Sequence, residues 1–198
     1  MRGSLRRDMV GPSAVGTMLT HVSSVEITAI ATVALVIATL SFEWLKHRRE
    51  RIVTSANTLT RLLEYYDSLT FLRKRRQISE LLFAAKPISM TSEVPDFFER
   101  IGLLLTMGVL DTEMVWDAFR TPVLFYWQAL RWPTDHFATY RAVIPRAFEN
   151  FDRLYGELLR VERAKSGRPP EQAFPQPDLV RAFLKSEVEL AARAQSTA

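Results

Sequence analysis

The hydrophobic pattern changes character once along this chain, and sharply. Residues 27–42 contain no charge, no glycine and no proline, and they are followed by Lys46, His47, Arg48, Arg49 and Arg51. Widened to residues 25–45, the apolar stretch spans about 30 Å as a helix, the hydrocarbon thickness of a bilayer. Glu26 and Glu43 fall at its ends, and Trp44 falls where an amphipathic ring favours the headgroup zone. A buried helix of a globular core needs equally apolar segments around it, and the rest of the chain offers none. A cleaved signal peptide needs small residues at its cleavage site. Here Ser41-Phe42-Glu43-Trp44 leads directly into the basic block. The pattern therefore predicts a retained transmembrane helix. The runs 101–110 and 123–132 are too short to span, so a single pass is expected.

Beyond the basic block the apolar positions recur at helical spacing, and no window alternates with the period of a strand. Leu59, Leu62, Leu63 and Tyr66 predict that the first helix continues to about Tyr66 as a stalk. Asp67-Ser68 predicts a cap for a helix over 69–85, ended by Pro87. Ser92 or Glu93 opens the next helix, read over 96–107 and stopped at Gly108. Asp111 caps a helix over 112–120, which Pro122 either kinks or ends before a new helix through Leu130. Trp132-Pro133 is a break. Thr134 or Asp135 starts a last long helix bent at Pro145, with Phe148, Phe151, Tyr155, Leu158 and Leu159 as its apolar stripe. Gly167, Pro169 and Pro170 end it. A Pro-rich linker comes next, flexible or polyproline-like. Asp178 then caps an amphipathic helix with Val180, Phe183, Leu184, Val188 and Ala191 along one side. That helix either packs on the bundle or binds something else.

The expected fold is all-α: one N-terminal transmembrane helix continuing into a stalk, then a small cytoplasmic helical bundle. The segments are a tail over 1–24, the span over 25–45, a basic juxtamembrane stalk over 46–66, the bundle over 67–165, the linker over 166–177 and the C-terminal helix and tail over 178–198. Orientation is set by the flanking cations. The block at Lys46, Arg48, Arg49 and Arg51 outweighs Arg2, Arg6 and Arg7 on the other side, which places the C-terminal side in the cytoplasm. A start at Met9 or Met18 instead of Met1 is equally open, and a start at Met18 sharpens that asymmetry.

Composition narrows the chemistry. The chain has 198 residues, a net charge of +4 and no cysteine, so neither a disulfide framework nor a thiolate site is available. The three histidines stand apart and form no ligand pair, and no metal or cofactor is expected. Aromatic content of 11% is too high for a wholly disordered chain. Glycine-rich phosphate loops and the common hydrolase and zinc-protease signatures are absent.

Several ordered features carry a resemblance. Asp67, Phe71 and Arg75 are spaced four apart. After them come "DFFERIGLLLTMGVLDTEMVW" over 96–116, "YWQALR" over 126–131, Arg141, and "FENFDRLYGELL" over 148–159. Over roughly residues 25–160 the chain resembles a bacterial family of membrane-anchored helical proteins classed only as a domain of unknown function. The resemblance implies one membrane helix and a small cytoplasmic bundle, and with the anchor and its basic flank the expected location is a bacterial inner membrane. It carries no activity, ligand or catalytic residue.

Candidate chemistry falls in two places. Trp44, Lys46, Arg48, Arg49 and Arg51 are the expected membrane interface, each cation contributing about 1 kcal/mol against anionic lipid. Arg75, Glu99, Trp116, Trp127 and Arg141 form the candidate buried polar or ligand cluster. Glu99 beside Phe97-Phe98 has the setting of a general acid raised by desolvation. An internal ion pair with Arg75 or Arg141 is the simpler expectation. Trp116, Tyr126, Trp127 and Trp132 are read first as core packing, and second as a wall for a planar ligand. His136 is read as a polar surface residue at a helix start, and Arg73–Arg76 as a solvated helix face rather than a phosphate-binding patch. Within the span, Ala34 and Ala38, and Thr28 and Thr32, are small pairs suited to close helix approach.

These readings favour a non-enzymatic module that holds a helical bundle at the lipid bilayer and binds a protein partner or itself. Nucleic acid is a weaker expectation, and the sequence specifies no small-molecule ligand. An enzyme centred on Glu99, Arg141, Trp116 and Trp127 is the alternative, and nucleic-acid binding through Arg73–Arg76 a further one.

Overall fold

A computed structural model of the chain describes residues 24–89, 92–167 and 175–196, with side chains from Ala31 to Ala194 within those limits. All regular elements among them are helices: α1 (Ser24–Tyr66), α2 (Leu69–Phe83), α3 (Glu93–Thr106), α4 (Thr112–Arg131), α5 (His136–Arg141), α6 (Glu149–Ser166) and α7 (Pro177–Ser196). The chain divides into two units, one ending at Lys46 and the other running from His47 to Ala198. The expected N-terminal tail and most of the Pro-rich linker lie outside the described residues.

In the first unit, Val33, Leu35, Val36, Ile37, Leu40, Phe42, Trp44 and Leu45 are all exposed. The hydroxyls of Thr39 and Ser41 donate back to the carbonyls of Leu35 and Ile37, so these polar groups are satisfied within the helix itself. Among the described residues no helix is long and apolar enough to cross a membrane, and the expected span over 25–45 is not supported there. Residues 25–30 lie outside the described side chains.

The second unit is built around aromatic rings. Tyr66, at the end of α1, meets Phe97 and Phe119 at centroid distances of 5.7 and 5.5 Å. Phe98 stacks on Phe151 at 5.1 Å and joins α3 to α6. Each such pair contributes about 0.5–1.5 kcal/mol beyond the area it buries. The close approach of α3 to α6 depends on Gly102, because a Cβ there would lie 2.1 Å from the Asn150 carbonyl oxygen. α4 also packs on α6, and α2 packs along α7. Ser55, buried on α1, accepts a hydrogen bond from the Asp111 N–H at 2.9 Å and so ties α1 to the start of α4.

Helix ends obey local chemistry. Ser68 accepts from the Phe71 N–H, Asp111 from Met114 and Asp135 from Ala138, each satisfying a first-turn donor. α2 stops at Phe83, earlier than expected, because Ala85 takes a left-handed conformation. α3 begins at Glu93, earlier than expected, since Pro95 in the first turn forfeits no hydrogen bond. α4 runs through Pro122 as one helix. The expected bent helix over 134–166 is two helices. Between them Ile144 N–H bonds to Tyr140, Pro145 has no N–H to give, and Phe148 adopts a left-handed backbone at φ 57°. That conformation seats the Phe148 ring against Phe137 and Tyr140 at 5.4 and 5.5 Å. Gly167, also left-handed, ends α6 as expected.

Candidate functional site

α2 places Phe71, Leu72, Arg75, Ile78, Ser79 and Leu82 on its buried side, so a guanidinium and a hydroxyl sit inside an apolar stripe. α7 does the same with an acid. Val180, Leu184 and Ala191 are buried, and Glu187 lies among them. The two charged groups meet. Arg75 Nε and Nη2 donate to Glu187 Oε2 and Oε1, both at 2.6 Å. The fork geometry of guanidinium and carboxylate suits this pairing, and charge makes each bond strong. The remaining edge of Arg75 donates from Nη1 to the Tyr66 carbonyl at 3.2 Å, and the guanidinium lies 4.0 Å over the Tyr66 ring.

Tyr126 completes the cluster from α4. Its hydroxyl donates to Glu187 Oε2 at 3.0 Å. A phenol has one proton, so Ser79 must donate to the Tyr126 oxygen, 3.1 Å away. Burial, and then the Glu187 charge, push the Tyr126 hydroxyl well above its ordinary range. Burial raises Tyr66 likewise. Burial works against the charge on Arg75, and the hydrogen-bonded Glu187 carboxylate together with Tyr66 and Tyr126 more than offsets it. The phenols therefore remain protonated and the guanidinium remains charged. This arrangement holds a carboxylate at a fixed point in an apolar groove, with both its oxygens occupied.

Of the five residues expected to cluster, Arg75 belongs to this centre. Glu99, Trp127 and Arg141 converge elsewhere, on the first turn of α6. Glu99 accepts from the Asn150 and Phe151 N–H groups at 3.3 and 2.7 Å and from the Asn150 side chain at 2.8 Å. A carboxylate there meets the unpaired donors and positive end of the helix, which is why it takes backbone partners instead of the expected Arg75 or Arg141. Arg141 pairs with Asp152 and donates to the Ala147 carbonyl, and Trp127 donates to Asp152 at 2.8 Å. The Trp127 ring stacks on Tyr155 at 3.7 Å. Trp116 stands in a third place, under Lys165 and Arg120 at 3.8 and 4.5 Å from its ring. The five are thus divided among three sites, each with its own partners.

Other expectations are corrected. The 73–76 block is not a uniformly solvated face: Arg75 is buried, Arg76 pairs with Glu80, and Lys74 pairs with Glu93. His136 is buried instead of lying on the surface, because α5 turns it inward beside Phe137, and burial lowers its pKa against the opposing pull of Asp135. At the expected membrane interface, Trp44, Lys46, Arg48, Arg49 and Arg51 are exposed, and Arg51 donates to the Gly108 carbonyl at 3.3 Å. Among the described residues no group of three or more His, Asp or Glu could hold a metal ion.

Sequence reasoning missed Glu187, the residue on which the first centre closes. Its one signal was an acid in the apolar stripe of α7, at helical spacing from Val180, Leu184 and Ala191. Asp152 was missed in the same way, inside the stripe of α6.

No curated protein and no solved structure matches the chain. Residues 27–158 match a family described as a domain of unknown function. That region covers all but the first two residues of the span candidate, α2 to α5 and most of α6, and the chain therefore belongs to the DUF4760 family.

Proposed function

We propose that this protein is a single-pass protein of a bacterial inner membrane, with its N-terminus outside, and that it holds a cytoplasmic helical unit at the bilayer to bind a protein partner or another copy of itself. One observation carries the reading. Residues 31–45 present exposed apolar side chains along a helix whose hydroxyls at Thr39 and Ser41 are satisfied internally, and Lys46, Arg48, Arg49 and Arg51 come directly after, all exposed. Apolar surface of that extent is costly in water, and self-satisfied hydroxyls are what a hydrocarbon environment requires. The basic cluster is suited to an anionic cytoplasmic leaflet. Tethering confines the unit near the membrane and raises its effective concentration for any membrane-associated partner.

Topology reporters fused to each terminus, together with alkaline carbonate extraction of membranes, test the anchor. The expected result is retention in the pellet with a cytoplasmic C-terminus. Release into the soluble fraction by carbonate overturns it. Crosslinking in cells tests the partner, and a chain that crosslinks to no protein, itself included, removes the interaction reading.

A further inference from the structure

The buried pair divides unevenly between the family domain and the C-terminal helix. Tyr66, Arg75, Ser79 and Tyr126 all lie within the matched residues 27–158. Glu187 does not, and α7 begins at Pro177, beyond that region. The domain therefore contributes a groove between α2 and α4 with a buried guanidinium at its floor, and the counter-charge arrives on a separate helix. We propose that this groove is a docking site for an amphipathic helix that carries one carboxylate inside its apolar stripe, and that α7 fills it in cis in competition with such a helix on a partner protein.

The chemistry of the groove defines what it accepts. Its contacts with α7 fall at Val180, Phe183, Leu184, Glu187 and Ala191, the spacing of a helix laid lengthwise in an apolar cleft. Phe183 meets Phe125 and Tyr126 at 5.0 and 5.1 Å, an aromatic anchor beside the charge. Arg75 is 4% exposed, and a helix without an acid at the Glu187 position would leave it buried and unpaired. The groove thus disfavours neutral helices as well as favouring acidic ones. Two N–H donors and one phenolic O–H fix the carboxylate, which sets register as well as charge. A cis occupant has an effective concentration of about millimolar, so a partner must match its chemistry to displace it.

This inference names the surface behind the protein-interaction reading and depends on that part of it alone. Its test uses detergent-solubilised full chain, so its failure leaves the anchor untouched. A specific protease sequence replaces residues 169–173, and a fluorescent peptide of residues 175–196 is titrated into cut and uncut protein by anisotropy. The cut chain is expected to exchange its helix for the peptide, and the uncut chain to bind at least about tenfold more weakly. A peptide carrying Glu187→Gln should bind the cut chain about tenfold to a hundredfold more weakly than the wild-type peptide. A designed helix of unrelated sequence that keeps only the five inward residues should compete. The Glu187→Gln change lies in the peptide, so both peptides meet the same cut chain, whose helical content by circular dichroism shows that it remains folded. Equal binding of the Gln peptide, failure of the designed helix, or a cut chain that unfolds instead of exchanging each overturns the proposal. So does an uncut chain that trades α7 between copies as a dimer.

Discussion

Replacing Glu187 by alanine removes the acceptor of two bonds from Arg75 and one from Tyr126, and leaves a guanidinium held by the Tyr66 carbonyl and ring alone. Breaking one side of a buried pair costs about 3–5 kcal/mol, because the surviving charge stays desolvated. The inward apolar residues of α7 are few. Burying Val180 and Leu184 contributes about 1.5–3 kcal/mol each, and the half-buried Phe183 and small Ala191 add less; the entropy of ordering the helix is set against all four. The loss is therefore comparable with the net docking energy of α7, and the expected outcome is local: α7 leaves while the rest of the bundle holds. Hydrogen exchange separates this from global unfolding. Amides of 178–194 should lose protection, while those of α3 and α6 keep it. The double variant Arg75→Met/Glu187→Leu replaces the pair with apolar side chains and should restore protection to within about 1 kcal/mol of wild type. If Glu187→Ala keeps α7 protected and costs less than about 1 kcal/mol, the reasoning is refuted, since the pair would then behave like one exposed to water.

Gly102→Ala places a methyl against the Asn150 carbonyl and should cost about 3 kcal/mol by forcing α3 from α6, read as a fall in the urea midpoint. Ser55→Ala leaves the Asp111 N–H without its acceptor and should cost about 1–3 kcal/mol in the same assay, while Ser55→Thr tests whether the hydroxyl alone suffices. His136 is expected to make stability depend on pH. Its folded pKa lies below the unfolded value of 6.5, so the unfolded chain binds the proton more readily. That contribution is complete above 6.5 and is lost as pH falls from there through the folded value, and His136→Gln should flatten the profile over that window.

Much of the architecture was legible because it is local. Ser68, Asp111 and Asp135 declare helix starts by supplying an oxygen to nearby N–H groups, and Gly167 declares an end by tolerating a left-handed backbone. Where long-range packing overrides local preference, the reading failed. Phe148 is left-handed because Phe137 and Tyr140 reward that placement of its ring, and no propensity predicts it. Pro122 has nothing in its neighbours that chooses between a kink and a break, and the packing of α4 against α6 keeps one helix.

The candidate cluster shows the same division. A charge among aromatics was visible at Glu99, and its need for a partner came from the cost of burying charge, whereas Arg75 was read both as such a partner and within a solvated basic block. Which partners they take depends on which helix faces are brought together. Glu99 meets the open N-terminus of α6, a donor set that exists only once that helix has formed. Arg75 meets Glu187 across 112 positions of sequence, on a helix whose docking one-dimensional pattern left open. From the sequence alone come the helical class, most helix starts, the apolar stretch and its basic sequel, since all depend on residues within a turn or two of each other. The pairing of α2 with α7, the division of the candidate cluster into three centres and the buried carboxylate in the groove were decided by tertiary packing, because each requires surfaces far apart in the chain to exclude water together.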